Sequence, residues 1–265
     1  MLSRWENTEP YSQPVQSIWL GGDRFPLPAD LIKGLSFLLP FVQRKGNPVE
    51  EWVHLINGKL LVITNSLIVD YEISAEALPD LKFDAKVIRA LSAFGSAPSY
   101  LINDQEDFCL EWDDGQRFFI SSKGFLKPIW FGNYKPTNND RSAAIDTYWG
   151  FDTGVALDDQ TRSKLCRSLS PAKLHQDVFV SPRYVVSRMK SLPHVDGWTS
   201  EHVDDFENNS VRPMRFDRKA FVQMIKVAKE IDFTCSPVCF RHGNGRGLLI
   251  ERTLGSDAPD LEWVE

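Results

Sequence analysis

The apolar positions of this chain fall into one pattern used four times: a short apolar strand end, a turn residue, and a helix carrying its apolar residues on one stripe. The copies run Phe25–Leu35, Leu81–Leu91, Val155–Leu165 and Met214–Met224. In each, Leu27, Phe83, Leu157 or Phe216 ends the strand. Asp84, Asp158 and Asp217 follow as helix N-caps, where a carboxylate accepts hydrogen bonds from free first-turn amides. The first copy has Pro28 there, with Asp30 close behind as a first-turn acid suited to the helix dipole. The helices this predicts span Ala29–Lys45, Asp84–Phe94, Asp158–His175 and Asp217–Glu230.

Hairpin signals follow the helices. Asn57-Gly58 lies between Trp52–Ile56 and Leu60–Thr64, and Asp114-Gly115 between Phe108–Trp112 and Arg117–Ser121. Gly243–Gly247 separates Val238–Arg241 from Leu248–Glu251, and Ser181-Pro182 makes a weaker signal between Asp177–Val180 and Arg183–Ser187. The unit is therefore strand, helix and a meander of strands. Internal repetition of this kind sets the architecture before any single residue is interpreted. The middle interval is stretched by the segment from Gly124 to about Thr147, whose prolines, Asn138-Asn139 and mixed charge suit a connector. The expected organisation is α+β, two domains of two repeats each: residues 12–123, a connector 124–147, and residues 148–255.

Composition narrows the class without deciding function. The chain has 265 residues, 42% hydrophobic and 25% charged, which is ordinary globular usage. Its longest apolar run, Leu35–Val42, is broken by Ser36 and Pro40 and is too short to span a bilayer. The N-terminal residues lack the apolar stretch of a secretory signal, and the four cysteines give no disulfide framework, so a reducing cytoplasm is expected.

Charge is where function first enters. The net charge of −6 argues against a nucleic-acid binder, yet the four helical segments carry +2, +1, +2 and +2, leaving −13 for the rest. Their cations are Lys33, Arg44 and Lys45; Lys86 and Arg89; Arg162, Lys164, Arg167 and Lys173; and Arg218, Lys219, Lys226 and Lys229. Their acids cluster at the N-termini. The dipole explains basic last turns, but not four basic helices in an acidic chain; a segregated basic surface facing a polyanion explains both.

At this point the chain resembles the DNA sliding clamps, the processivity factors of replicative polymerases. Leu31–Val42, Val53–Ile56, the run Gly58–Asn65 and Leu67–Ile73 look like the opening repeat of bacterial beta-type clamps. Leu81–Leu91 with Phe108–Ile120, and Met214–Ile225 with Val238–Ile250, look like further repeats. The resemblance implies the DNA-clamp fold, helices inside and sheets outside, over residues 12–255. It also implies binding of double-stranded DNA without sequence preference, a polymerase and a clamp loader as partners, and no catalytic activity, cofactor or metal. Bacterial beta clamps have three domains per subunit whereas this chain has room for two. Six domains per ring then imply a head-to-tail homotrimer, with a phage or bacterial source suggested by the shortened pattern.

Other constellations have plainer readings. Cys235-x-x-x-Cys239 with His242 has metal-ligand residue types, but Cys239 sits in an apolar strand pattern, so buried thiols are expected. His242–Gly247 lacks the Lys-Ser/Thr and the helix of a phosphate loop and reads as a hairpin turn. Asp113-Asp114 and Asp204-Asp205 read as surface acids. Phe125, Leu126, Ile129, Trp130 and Phe131 form an apolar stretch, either a buried last strand or a partner-docking surface; Phe125, Ile129, Trp130 and Phe131, with Trp263 of the C-terminal tail, are the partner-site candidates. Two alternatives stand beside the clamp: a monomeric clamp-fold DNA accessory protein, and a non-DNA interaction protein whose basic helices meet an acidic partner.

Overall fold

Three of the four repeats begin as their aspartates dictate. Asp84 accepts from the Val87 amide at 2.6 Å, Asp158 from Gln160 and Thr161 at 2.8 and 2.9 Å, and Asp217 from Ala220 at 3.0 Å. They open helices α2 (Ala85–Ala93), α3 (Asp159–Leu169) and α4 (Arg218–Val227). In the first repeat Asp30 stands at the N-cap of α1 (Leu31–Leu38) with no side-chain capping bond. The computed structural model describes residues 23–42, 52–56, 58–73, 78, 81–104, 107–120, 145–189, 201–256 and 259. Nearly all of the expected connector lies outside them.

Three helices end earlier than their sequence pattern suggests, α4 among them: it stops at Val227 and strand β14 begins at Glu230. α1 gives way to a 3-10 turn, Leu39–Phe41, because Pro40 has no amide to continue an α-helix. α3 stops at Leu169, two residues before Pro171, and strand β10 begins at Leu174. Lys173 and Lys229 consequently lie in turns rather than on helices.

The strands of the first half are β1 (Asp23–Pro26), β2 (Trp52–Ile56), β3 (Lys59–Ile63), β4 (Leu67–Glu72), β5 (Leu81–Asp84), β6 (Tyr100–Asp104), β7 (Asp107–Glu111) and β8 (Arg117–Ile120). Those of the second half are β9 (Val155–Ala156), β10 (Leu174–Val180), β11 (Tyr184–Met189), β12 (Glu201–Asp205), β13 (Met214–Asp217), β14 (Glu230–Asp232), β15 (Val238–His242) and β16 (Gly245–Leu249). They form two four-stranded sheets, ordered β1-β6-β7-β8 and β12-β11-β10-β13, and one eight-stranded sheet, ordered β5-β2-β3-β4-β16-β15-β14-β9.

This topology is one pattern executed twice. Set β5-β2-β3-β4 beside β13-β10-β11-β12, and β1-β6-β7-β8 beside β9-β14-β15-β16, and each strand has its counterpart. Hydrogen bonds outside the ladders repeat too. Leu27 N–H donates to Ser99 O as Leu157 N–H does to Lys229 O, both at 2.9 Å; Ser99 N–H donates to Glu111 O as Lys229 N–H does to Arg241 O, both at 2.8 Å. The halves join where β4 pairs antiparallel with β16, from Leu67↔Leu249 to Tyr71↔Gly245.

Strand alternation separates two apolar layers across the eight-stranded sheet. Leu60, Val62, Val238, Phe240 and Leu249 face the helices, in a core running through both halves. Leu61, Cys239 and Leu248 face the other way, under Ile145, Trp149 and Phe151. Cys239 and His242, three apart, thus belong to opposite faces. No metal-binding group of His, Cys, Asp and Glu occurs among the described residues. Burial pushes the Cys235 thiol up to about 12, and it donates to Gly150 O at 3.2 Å.

The glycine-rich hairpin is tighter than its sequence suggests: the turn is Gly243-Asn244, with Gly243 at φ 41°, and β16 starts at Gly245. A Cβ on Gly245 would meet Asp70 O at 2.1 Å, and one on Gly247 would meet the Phe240 ring at 2.0 Å. The glycines let backbone and ring approach at the junction rather than cradle a phosphate.

His242, 1% exposed, stacks on Phe37 of α1 with ring centroids 4.1 Å apart. Burial pulls its pKa down to about 4, against weaker opposing effects of the Asp70 carboxylate and of backbone contacts with Arg246 and Asp70. A histidine kept neutral in the fold contributes its full stability above its unfolded pKa, near 6.5. That contribution is lost as pH falls from about 6.5 towards 4, reaching about 3 kcal/mol. Denaturant midpoints across this range should fall accordingly, and His242→Phe should flatten the decline; an unchanged slope in that variant would assign the acid sensitivity elsewhere.

Candidate nucleic-acid interface

The helices lie on the core side of the sheets and pair as α1 with α2 and α3 with α4. Ser36 of α1 and Ser92 of α2 share a hydrogen bond at 2.8 Å, while Gln223 of α4 donates to Pro40 O at 2.8 Å and ties the pairs together across the junction. Each helix buries one stripe: Leu31, Leu35 and Leu38 on α1, Ile88 and Leu91 on α2, Leu165 and Leu169 on α3, and Phe221, Met224 and Ile225 on α4. The opposite stripe carries the charge.

Lys33, Lys86, Arg89, Lys164, Arg167, Lys219 and Lys226 are exposed on the four helices. The capping aspartates sit at the N-termini, and Asp159 is the one acid within helices α1 to α4. Lys173 and Lys229 are exposed in the turns after α3 and α4. Lys164 is partly engaged, 3.7 Å from Asp205 of β12. Arg44 and Lys45, like Phe125, Ile129, Trp130, Phe131 and Trp263, fall outside the described residues.

Two of the expected cations serve the fold instead. Arg218 is buried, and its guanidinium donates to His175 O at 2.7 Å and to Leu169 O, tying α4 to the end of α3; burial lowers its pKa. Arg162 is half-buried, with Nη2 donating to Leu157 O at 3.1 Å and Ala228 O at 2.9 Å, and Nη1 pairing with Asp159. Its location one turn before the buried Leu165 was readable; that its fork would close on two carbonyls was not.

The remaining charge is organised around the sheets. Asp177 has a fully buried side chain; burial would raise its pKa, but hydrogen bonds from Arg215 and Arg252 outweigh this and hold it low. Arg252 also reaches Asp217 at 2.7 Å, fastening the C-terminal segment beside β13. Asp232 is likewise held low: burial opposes it, but the Thr234 hydroxyl, the Asp152 and Thr234 amides and Asn209 prevail. On the outer face Arg246 bridges Asp70 and Asp146, both at 2.8 Å, beside a cleft of about 380 Å³ lined in part by Lys59, Glu72, Trp149 and Arg241. Of the paired acids, Asp113, Asp114 and Asp205 are exposed as expected, but Asp204 is buried on edge strand β12, correcting its reading as a surface acid.

No helix among the described residues is long and apolar enough to cross a membrane. No protein-family model matches the chain, and no curated protein sequence does. Solved structures do. The beta clamp of Helicobacter pylori bound to a DNA ligase peptide is similar with a TM-score of 0.56 at 10% identity, over 89% of this chain and 67% of that one. The beta subunit of DNA polymerase from Streptococcus pyogenes gives 0.58 at 12%, over 95% and 69%. Caulobacter crescentus pol III beta gives 0.59 at 12%, over 88% and 66%. The chain thus spans about two thirds of the length of these clamps. With its doubled strand order, its capped helices on one side of the sheets and this likeness to solved beta clamps, the chain has the DNA-clamp fold.

Proposed function

We propose that this chain is a sliding clamp that closes around duplex DNA as a head-to-tail ring of three copies and tethers a polymerase without chemistry of its own. The observation that supports the reading is that two particular strands, β8 and β12, stand at sheet edges among the described residues. β4 and β16 pair within the chain, and their repeat counterparts, β12 and β8, are each the last described strand of a four-stranded sheet. Two unlike edges related by the internal repeat to two that already pair fit a heterologous contact that closes by rotation. Unsatisfied edges in soluble proteins are usually covered or paired. β12 also exposes Val203 between acidic neighbours Glu201, Asp204 and Asp205.

The two domains, residues 12–123 and 148–255 around the connector 124–147, give six in a trimer, the number the resemblance implies for a ring. The exposed lysines and arginines would then line the channel. They would meet phosphates without reading sequence, so that the ring is held by topology while it slides. Acidic surface elsewhere disfavours adsorption of DNA outside the ring. The connector segment with Phe125, Ile129, Trp130 and Phe131, together with Trp263, is the proposed docking place for polymerase and loader, in a bacterial or phage cytoplasm.

Sedimentation equilibrium tests the assembly. We expect a mass about three times the 30.2 kDa chain at micromolar concentration, with dissociation on dilution if the edges pair weakly. Val203→Glu, adding a fourth carboxylate to the β12 edge, should shift the protein to monomer while leaving its circular-dichroism spectrum unchanged. The ring, once loaded, should stay on closed-circular DNA and leave linear DNA. A strict monomer up to roughly millimolar concentration, with DNA present or absent, would exclude the ring and leave a one-sided accessory protein.

A further inference from the structure

The in-chain junction is a template for the contact between copies, and following it residue by residue gives a different chemistry. Within the chain, Phe37 of α1 stacks on His242 at 4.1 Å, with Tyr71 of β4 at 6.4 Å from the same ring. Each of these has a repeat counterpart, given by strand register, by matching backbone hydrogen bonds or by position on the helix. Trp112 corresponds to His242, since Glu111 and Arg241 make the same bond to Ser99 and Lys229, and these are the next residues in the chain. Asp204 corresponds to Tyr71: Ile56↔Lys59 and the Ser181–Tyr184 bond mark equivalent two-residue turns, and Glu72 and Asp205 lie opposite Lys59 and Tyr184. Arg167 corresponds to Phe37, two residues beyond the matched core positions Leu165 and Leu35.

Resting on the ring reading, we propose that Arg167 of one copy lies over the Phe94–Trp112 stack of the next, with Asp204 beside it as counter-charge. The contact between copies is then cationic on aromatic where the in-chain junction is aromatic on a neutral imidazole. Three features of the single chain fit this. Phe94 is 38% exposed and stacks on Trp112 at 4.6 Å, with Phe118 of edge strand β8 at 5.8 Å, so a rigid aromatic platform adjoins that edge. Arg167 is exposed and makes no ion pair among the described residues, although α3 projects it from the same face as Lys164, which reaches Asp205 of β12. Asp204, 5% exposed, leaves its Oδ2 without a hydrogen bond among the described residues, His202 Nε2 standing 3.4 Å away.

The occupant this surface fits is a second copy of this chain. An arginine over aromatic rings is more strongly favoured when water is excluded, which an edge-to-edge sheet contact does. It also separates the two kinds of junction: the β16 side presents a buried imidazole already covered by Phe37, so an incoming Arg167 has its platform at β8 alone. Arg167 is thereby moved from the DNA-facing set to the interface.

Sedimentation equilibrium without DNA tests this on the full chain, with wild type, Arg167→Ala, Phe94→Leu, the double variant and Arg167→Lys. Arg167→Ala should raise the dissociation constant of each contact between copies about tenfold, the size expected of a desolvated cation–π pair, and that of the three-contact ring by about a thousandfold. The double variant should assemble no more weakly than the weaker of the two single variants, showing coupling, and Arg167→Lys should recover part of the loss. Melting temperatures verify that Phe94→Leu remains folded. If wild type assembles and Arg167→Ala assembles equally well, or if the two losses simply add, this contact is wrong and the ring reading stands. If wild type does not assemble at all, the ring reading fails and takes this contact with it.

Discussion

Replacing Lys33, Lys86, Arg89, Lys219 and Lys226 together by alanine should weaken DNA binding on the order of 100-fold at moderate salt, equally for unrelated sequences. All five side chains are exposed on helices α1, α2 and α4, with none in the buried stripes that hold the helices to the sheets. The fold should therefore survive, and the oligomeric mass with it. Each phosphate contact removed should flatten the plot of log affinity against log salt by about 0.9, because fewer counterions are released on binding. Polymerase processivity should fall in parallel. A folded variant with unchanged salt slope and processivity would mean that the helices do not face DNA.

The second large effect is on stability. Leu35, Leu91, Leu165 and Met224 occupy matched positions in the four helices and are at most 1% exposed. Truncating any one to alanine removes buried apolar volume in a region that can collapse only partly, for an expected loss of about 2–5 kcal/mol. Because these side chains belong to one apolar cluster that passes through the β4–β16 junction, all four variants should lower the same unfolding transition, followed by denaturant titration with two optical probes. Losses below about 0.5 kcal/mol at two of the sites would break the equivalence of the repeats.

Both effects follow from features at different depths of legibility. The repeated strand end, aspartate and amphipathic helix were readable because capping and helical periodicity are local: a carboxylate three residues from an amide needs no distant partner. The hairpin turns at Gly58 and Gly115 were readable for the same reason, since both glycines adopt positive φ, 72° and 81°. Helix ends are less legible in the sequence where Pro40 and Pro171 act, because an apolar stripe runs on past the residue that stops the hydrogen-bond ladder.

The sequence by itself determined the four-fold repeat, the α+β class, the N-caps and the concentration of cations on helices, all consequences of order along the chain. Only the tertiary structure decided which strands join the halves, since β4 and β16 lie more than 170 residues apart and any of several apolar strands could have met. It also decided which cations are free. Arg218 and Lys219 are neighbours of the same type in sequence, yet one is buried on the carbonyls that end α3 and strand-start β10 while the other points to solvent. Burial and unsatisfied carbonyls are properties of packed surfaces, and composition and periodicity carry no record of which surface will close over a given side chain.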